Sequence, residues 1–336
     1  MKLKTTFLAA AFVFVSALAP AKPAFAEAKE LRLAQQFGIA YLPFEVMQKH
    51  SLIEKQAAKN GLAGIKVNWL QFGGGSSMND ALISDNLDFA AAGIPVFLSL
   101  WNKTRGESDV RVAAGLNKIP VFLNTNNPKI KSIKDFGEAD KIALPAVKVS
   151  LQAMVLQMAA AKEWGQESYS RLDKLTVSMK HPDGMVALLS GGSEITGHFT
   201  APPFMFQELE HPGIRTVLNS ADLLGPHSFN VIYASTRFRQ KNPILYKSYL
   251  AALEEAMQMI NADKRAAAKL YIDANPSAAN QLDLTYKIVT DPTVEFTTAP
   301  SGLLKFAEFM TNVGSLTRKL GNDSLCFPEI DVKACN

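Results

Sequence analysis

Cysteine is nearly missing from this chain: of 336 residues only Cys326 and Cys335 carry a thiol, and both lie in the C-terminal tail. A cysteine-ligated cluster or zinc finger needs several such residues at short spacing, so that class is excluded. The five histidines (His50, His181, His198, His211, His227) are scattered, with no His-x-x-x-His pair to hold a catalytic metal. No Gly-x-Ser-x-Gly elbow is present, which argues against a serine hydrolase of that type. No basic run is interleaved with aromatics, so nothing points to a nucleic-acid partner. Neither a metal nor another cofactor is expected, and the chain is not read as an enzyme.

What is present fits a globular protein of two ordinary domains: 48% hydrophobic and 20% charged residues over 336 positions. Lys2 and Lys4 precede an apolar run from Thr6 to Leu18, and Ala24-Phe25-Ala26 follows with small residues at alternate positions. That is the layout of a secretory signal peptide over residues 1–26, with Glu27 as the expected first mature residue. The apolar run is too short to span a bilayer comfortably. Loss of Lys2, Lys4 and Lys22 with the leader lowers the formal net charge from +4 to +1. In an oxidising compartment Cys326 and Cys335 most simply form one disulfide that fastens the tail. A redox pair is the alternative, although such pairs usually have tighter spacing.

Short apolar runs alternate with amphipathic segments from Leu31 onward. Strands are expected at 31–35, 65–70, 87–92 and 110–115, and again at 141–144, 175–179, 195–199 and 215–218, with helices between them. This alternation predicts α/β architecture, two mainly parallel sheets each flanked by helices. Two apolar stretches, 118–127 and 229–234, join the halves, and a nearly continuous helical region follows Ser235. The halves also echo each other. "ALISDNLDFAAAGIP" from Ala81 and "ALLSGGSEITGHFTAPP" from Ala187 align at an offset of 106 residues, Ala81 with Ala187 and Ser84 with Ser190. Both read as helix, turn, acid, short strand and proline-bearing exit loop. Ligands in open α/β sheets sit beyond the carboxyl ends of strands, so the two loops would face one cleft.

Four stretches carry a family resemblance: "LRLAQQFGIAYLPFEVMQKH", "WLQFGGGSSMNDALISDNLDFAAAGIPVF", "KSIKDFGEADKIALPAVKVSLQAMVLQMA" and "GGSEITGHFTAPPF". In their order and spacing they resemble the periplasmic solute-binding proteins of ABC importers, in the nitrate/sulfonate/taurine branch. The family's lysine-rich "DLKGKKIAVP" stretch is loosened here to "DFGEADKIALP", and Pro95 is followed by Val96 where a second proline would stand. The resemblance implies a two-lobe, hinged fold (type II). It sets residues 27–117 with 228–336 in a discontinuous first lobe and 118–227 in the second. It further implies a monomer in the periplasm that traps a small molecule and delivers it to a membrane-embedded ABC permease. A sensory binding protein would have the same sequence features. A periplasmic enzyme or a pyrimidine-forming protein on a related fold is a further alternative, but the cysteine-rich motif of the latter is missing.

The candidate ligand-binding residues follow from strand ends and helix starts. In the first lobe, Gln36, Phe37 and Tyr41 combine polar groups with aromatic rings. Gly75, Ser76 and Ser77 open a helix whose free N–H groups suit an anion, and either serine serves equally as an N-cap. Gly93, Ile94 and Pro95 form the first exit loop. In the second lobe, Lys148, Val149 and Ser150 open a long helix, and His198, Phe199 and Thr200 form the second exit loop. His198 reads equally as a hydrogen-bonded structural histidine. Asn230 lies at the return crossing. Helix starts, Lys148 and the aromatic residues together point to a small organic anion, a sulfonate or carboxylate, possibly aromatic.

Overall fold

The computed structural model describes residues 26–278, 280–321, 325–331 and 333–335, so the expected leader, residues 1–26, lies outside it except for Ala26. Ten strands form two five-stranded sheets. The first holds β1 (Glu30–Gln35), β2 (Lys66–Gln71), β3 (Phe89–Gly93), β4 (Val110–Gly115) and β10 (Asn230–Ser235), in the order β2-β1-β3-β10-β4. The second holds β5 (Phe122–Thr125), β6 (Lys141–Leu144), β7 (Thr176–Ser178), β8 (Ile195–Thr200) and β9 (Arg215–Asn219), in the order β7-β6-β8-β5-β9. Both follow one plan, and in each the strand that arrives directly from a crossing runs antiparallel to its neighbours: β10 against β3 and β4, β5 against β8 and β9.

Helices cover the sheets, and the residue choice in the strands reflects it. β3, "FAAAG", is buried throughout, its small side chains letting helices pack close. Phe89 at its start stacks on Tyr249 with ring centroids 4.0 Å apart, which ties the long C-terminal helix Pro243–Ala262 to the first sheet. The C-terminal helices thus return to the first lobe. No helix among the described residues is long and apolar enough to cross a membrane.

The helical expectations differ from the structure where backbone geometry interrupts a periodic pattern. Ser51 at φ 50° separates the helix Leu42–Lys49 from a second, unanticipated helix, Leu52–Lys59. The helical region expected after Ser235 is broken by a short 3-10 turn at Pro276–Ala278, which precedes the helix Leu282–Thr290. The helix Leu303–Asn312 is bounded by Gly302 at φ 82° and Gly314 at φ 75°, left-handed conformations that favour glycine.

The two crossings between lobes lie side by side. Leu116 N donates to Asn230 O at 3.1 Å and Phe229 N to Asn117 O at 3.2 Å. Asn117, wholly buried, also donates to Ala40 O at 2.7 Å and accepts from Asn230 N at 3.2 Å, fixing the crossings against the first-lobe loop. At the far edge of the first sheet, Val112 exchanges hydrogen bonds with Leu325 and Phe327, both 2.9 Å, so the tail covers the open edge of β4. The Cys326–Cys335 disulfide, Cα atoms 6.2 Å apart, closes that tail on itself.

Candidate functional site

The carboxyl ends of strands from both sheets meet at one cavity between the lobes. From the first lobe come Gln36, Phe37 and Tyr41 after β1, Gly75 after β2, and Gly93 with Val96 after β3. From the second come Pro145, Ser150, Leu151 and Gln152 after β6, and His181 after β7; Phe229 and Asn230 arrive with the return crossing. The expected residues Gln36, Phe37, Tyr41, Gly75, Gly93, Ser150 and Asn230 therefore share this wall.

The lobes are closed upon each other, and glycines make the contact possible. A Cβ placed on Gly74 would lie 2.8 Å from Pro145 O, and one on Gly93 would lie 2.9 Å from the Leu151 Cβ, both across the cleft. The space open to the centre of a water molecule is about 20 Å³, room for little more than one water.

Four helices begin at this small space. Gly75–Ile83, Leu151–Trp164 and His181–Ser190 each start on a wall residue, and Gly93 is the N-cap of Ile94–Lys103. Their free N–H groups and partial positive charge converge on it. Ser150 caps the second of these helices by accepting from Ala153 N at 3.1 Å. Among the described residues, no aspartate, glutamate, lysine or arginine lines the cavity. Polar side chains supply the rest. Gln36 Nε2 donates to Tyr41 Oη at 3.1 Å, and Tyr41 donates to Ala91 O at 2.9 Å. Burial raises the Tyr41 pKa well above the ordinary phenol range, offset only in part by the Gln36 and Asn230 amides. Asn230 is 1% exposed and its Nδ2 has no partner within hydrogen-bond geometry.

His181, which was not among the expected residues, is the titratable group of the second-lobe wall. Its Nδ1 lies 2.9 Å from Thr200 Oγ1, and its Nε2 lies 3.4 Å from Gln152 Nε2. The tautomer that satisfies both bears its proton on Nδ1, donates to the threonine hydroxyl and accepts from the glutamine amide. Burial, and then the neighbouring His198 ring, hold the pKa well below the ordinary histidine value, so the ring is neutral. A sequence signal for it existed. The offset of 106 residues that relates Ala81 to Ala187 also carries Gly75 onto His181, so each begins the same helix of its lobe.

The structure does not bring the remaining expected residues to the wall. His198 and Thr200 are fully buried behind His181: His198 Nδ1 lies 2.5 Å from Glu208 Oε1, and Thr200 holds His181 in place. A Cβ on Gly184 would reach His198 Nε2 at 2.5 Å, so that ring is packed against the helix backbone. Ile94 and Pro95, the first residues of the helix Ile94–Lys103, and Phe199 of β8 are buried in their lobes. Ser76 and Ser77 are exposed, Ser77 bonding back to Gly74 O at 2.9 Å. Lys148 is exposed at φ 64°, and Val149 beside it is half-buried. A roomier groove of about 390 Å³ lies elsewhere, between Leu42–Lys49 and Lys264–Ala274. It sits at the C-terminal end of the first of these helices, where the dipole favours cations instead.

This architecture, two α/β lobes joined by paired crossings with helix starts converging between them, is the fold of the periplasmic binding proteins. The solved structures it matches include the alkanesulfonate-binding protein SsuA of Xanthomonas axonopodis pv. citri bound to MOPS, with TM-score 0.67 and 15% identity, covering 87% of this chain and 96% of that one. The periplasmic aliphatic sulphonate-binding protein SsuA of Escherichia coli matches with TM-score 0.63 and 16% identity over 88% and 96% of the two chains. The periplasmic nitrate-binding protein NrtA of Synechocystis PCC 6803 matches with TM-score 0.67 and 14% identity over 86% and 83%. No family model and no curated protein matches the sequence.

Proposed function

We propose that this protein is the periplasmic solute-binding component of an ABC importer, and that its inter-lobe cavity holds the charged head of a small organic anion, a sulfonate or carboxylate. The observation that carries the ligand class is the convergence of four helix N-termini and the unpartnered Asn230 amide on a space with no carboxylate. In this reading Gln36, Phe37, Tyr41, Gly75, Gly93, Ser150 and Asn230 meet the solute, joined by Gln152 and His181. The narrow closed space favours a compact head group over an aromatic ring inside the cavity. Ligand and both walls make contact only in the closed form, so binding shifts the population towards closure without chemistry. Residues 1–26 serve as the export signal, the crossings near 116–121 and 226–229 as the hinge, and a permease as the recipient of the closed monomer.

A thermal-shift panel of nitrate, methanesulfonate, taurine, acetate and benzoate tests this, paired with small-angle scattering. A bound anion stabilises the folded form by RT ln(1 + [L]/Kd), so the melting temperature rises with anion concentration, and it compacts the particle. A panel with no shift and no compaction refutes the reading.

A further inference from the structure

The cavity offers donors to an anion but no resident cation to balance it. We propose that the anion enters together with one proton from solvent, taken up by His181, so that the filled cavity is electrically neutral. This deepens the anion reading above and rests on it.

An anion sealed in a dry cleft without a counter-charge is strongly disfavoured, and helix dipoles offset this only in part. Among the wall residues, only the His181 imidazole gains a positive charge by titrating; the Tyr41 phenol has no cationic form near neutrality. The geometry leaves His181 ready for the second proton. Nδ1 is committed to Thr200, whereas Nε2 has only the 3.4 Å approach of the Gln152 amide. Protonated, Nε2 becomes a donor facing an acceptor-bearing solute, and Gln152 is released to do the same. The imidazole is 5% exposed and neutral when the cavity holds no charge, and an adjacent anion reverses the balance that keeps it so.

The other charged groups around this ring do not supply the balance. His198 of β8 lies with its ring centroid 5.6 Å away, but its Nδ1 is turned to Glu208 of the helix Phe204–Leu209 at 2.5 Å, both fully buried. Lys180 and Asp183, on the segment of His181 itself, are exposed. The helix Leu151–Trp164 presents the neutral Gln152, and Phe204 stacks on the other side with its centroid 5.7 Å away.

Isothermal titration with methanesulfonate, which stays ionised from pH 5 to 8, reads the proton directly. In two buffers of different ionisation enthalpy at the same pH, the expected result is uptake approaching one proton per anion. Affinity should fall with rising pH, approaching tenfold per unit. His181→Gln should lose both the uptake and the pH dependence. Binding with no uptake and a flat pH profile overturns the proposal while leaving the anion reading intact, as does full uptake retained by His181→Gln. Absence of methanesulfonate, nitrate, taurine, acetate and benzoate binding at every pH from 5 to 8 removes the anion reading and this proposal with it. The proton count on the wild-type chain decides the matter even if the variant fails to fold.

Discussion

A close approach between the lobes can be perturbed by a single substitution at Gly74. Gly74 has φ −168°, extended backbone that any residue adopts, yet a Cβ there would sit 2.8 Å from the Pro145 carbonyl oxygen of the opposite lobe. Ordinary contact begins near 3.4 Å, and the obstacle is backbone, which yields less than a side chain. Overpacking of this kind costs about 1–3 kcal/mol, here charged to the closed form alone. Gly74→Ala should therefore weaken solute binding by roughly 5- to 150-fold. Gly74 is the N-cap of the helix Gly75–Ile83, where alanine is a poor substitute, so Gly74→Ser provides the matched control. Serine carries the same Cβ but caps well, so it should weaken binding comparably while leaving the unliganded melting temperature within about 3 °C of wild type. Titration calorimetry and thermal melting of the three proteins supply the numbers. Undiminished affinity in both variants would mean that the lobes do not close in the register seen here, and the reasoning would be wrong.

Asn230→Asp places a carboxylate among the helix starts in the cavity; anion affinity should drop at least tenfold while the circular-dichroism spectrum stays unchanged, because repulsion replaces a donor. Reduction of Cys326–Cys335, which closes a loop of sequence separation 9, should lower stability by about 2.6 kcal/mol with no change in affinity, measured by denaturant melts with and without reductant. Glu45 gives a pH test of stability. Burial pushes its carboxyl up to about 8 from an ordinary 4.5, with only Asn275 donating to it. The folded chain then holds more protons than the unfolded one between those values, so this group's contribution is full below about 4.5 and is lost as pH rises through about 8. Glu45→Gln should flatten that decline, a difference on the order of 4 kcal/mol at pH 8 in urea melts, and change stability at pH 5 by less than about 1 kcal/mol.

Apolar runs were enough to place most of the strands: the central β3, covered on two faces, is buried along its length, whereas the edge strands β2, β7 and β9 are only partly buried. The stretch 118–127 was legible as a crossing, but its role as the antiparallel fifth strand of the second sheet was not, since pairing direction is set by tertiary partners. Within the site, strand ends and helix starts led to Gly75, Gly93, Ser150 and Asn230, which line the cavity. They also suggested Ser76 and Ser77, which the helix rotation leaves exposed, and Lys148, which lies exposed in the turn before the helix Leu151–Trp164. Sequence alone cannot fix that rotation to within one residue. His198 attracted attention because it ends a strand beside an aromatic, whereas the structure gives the wall to His181 and sets His198 behind it with Glu208. The duplication held the clue. Read as a register and not merely as a likeness, it carries Gly75, at the first-lobe helix start, onto His181.

Native mass spectrometry of the mature chain titrated with methanesulfonate, beside the Asn230→Asp variant, tests the central claim most directly. One anion per wild-type chain, lost in the variant, is the predicted result. Equal occupancy of the two proteins, or none in either, would contradict an anion site between the lobes.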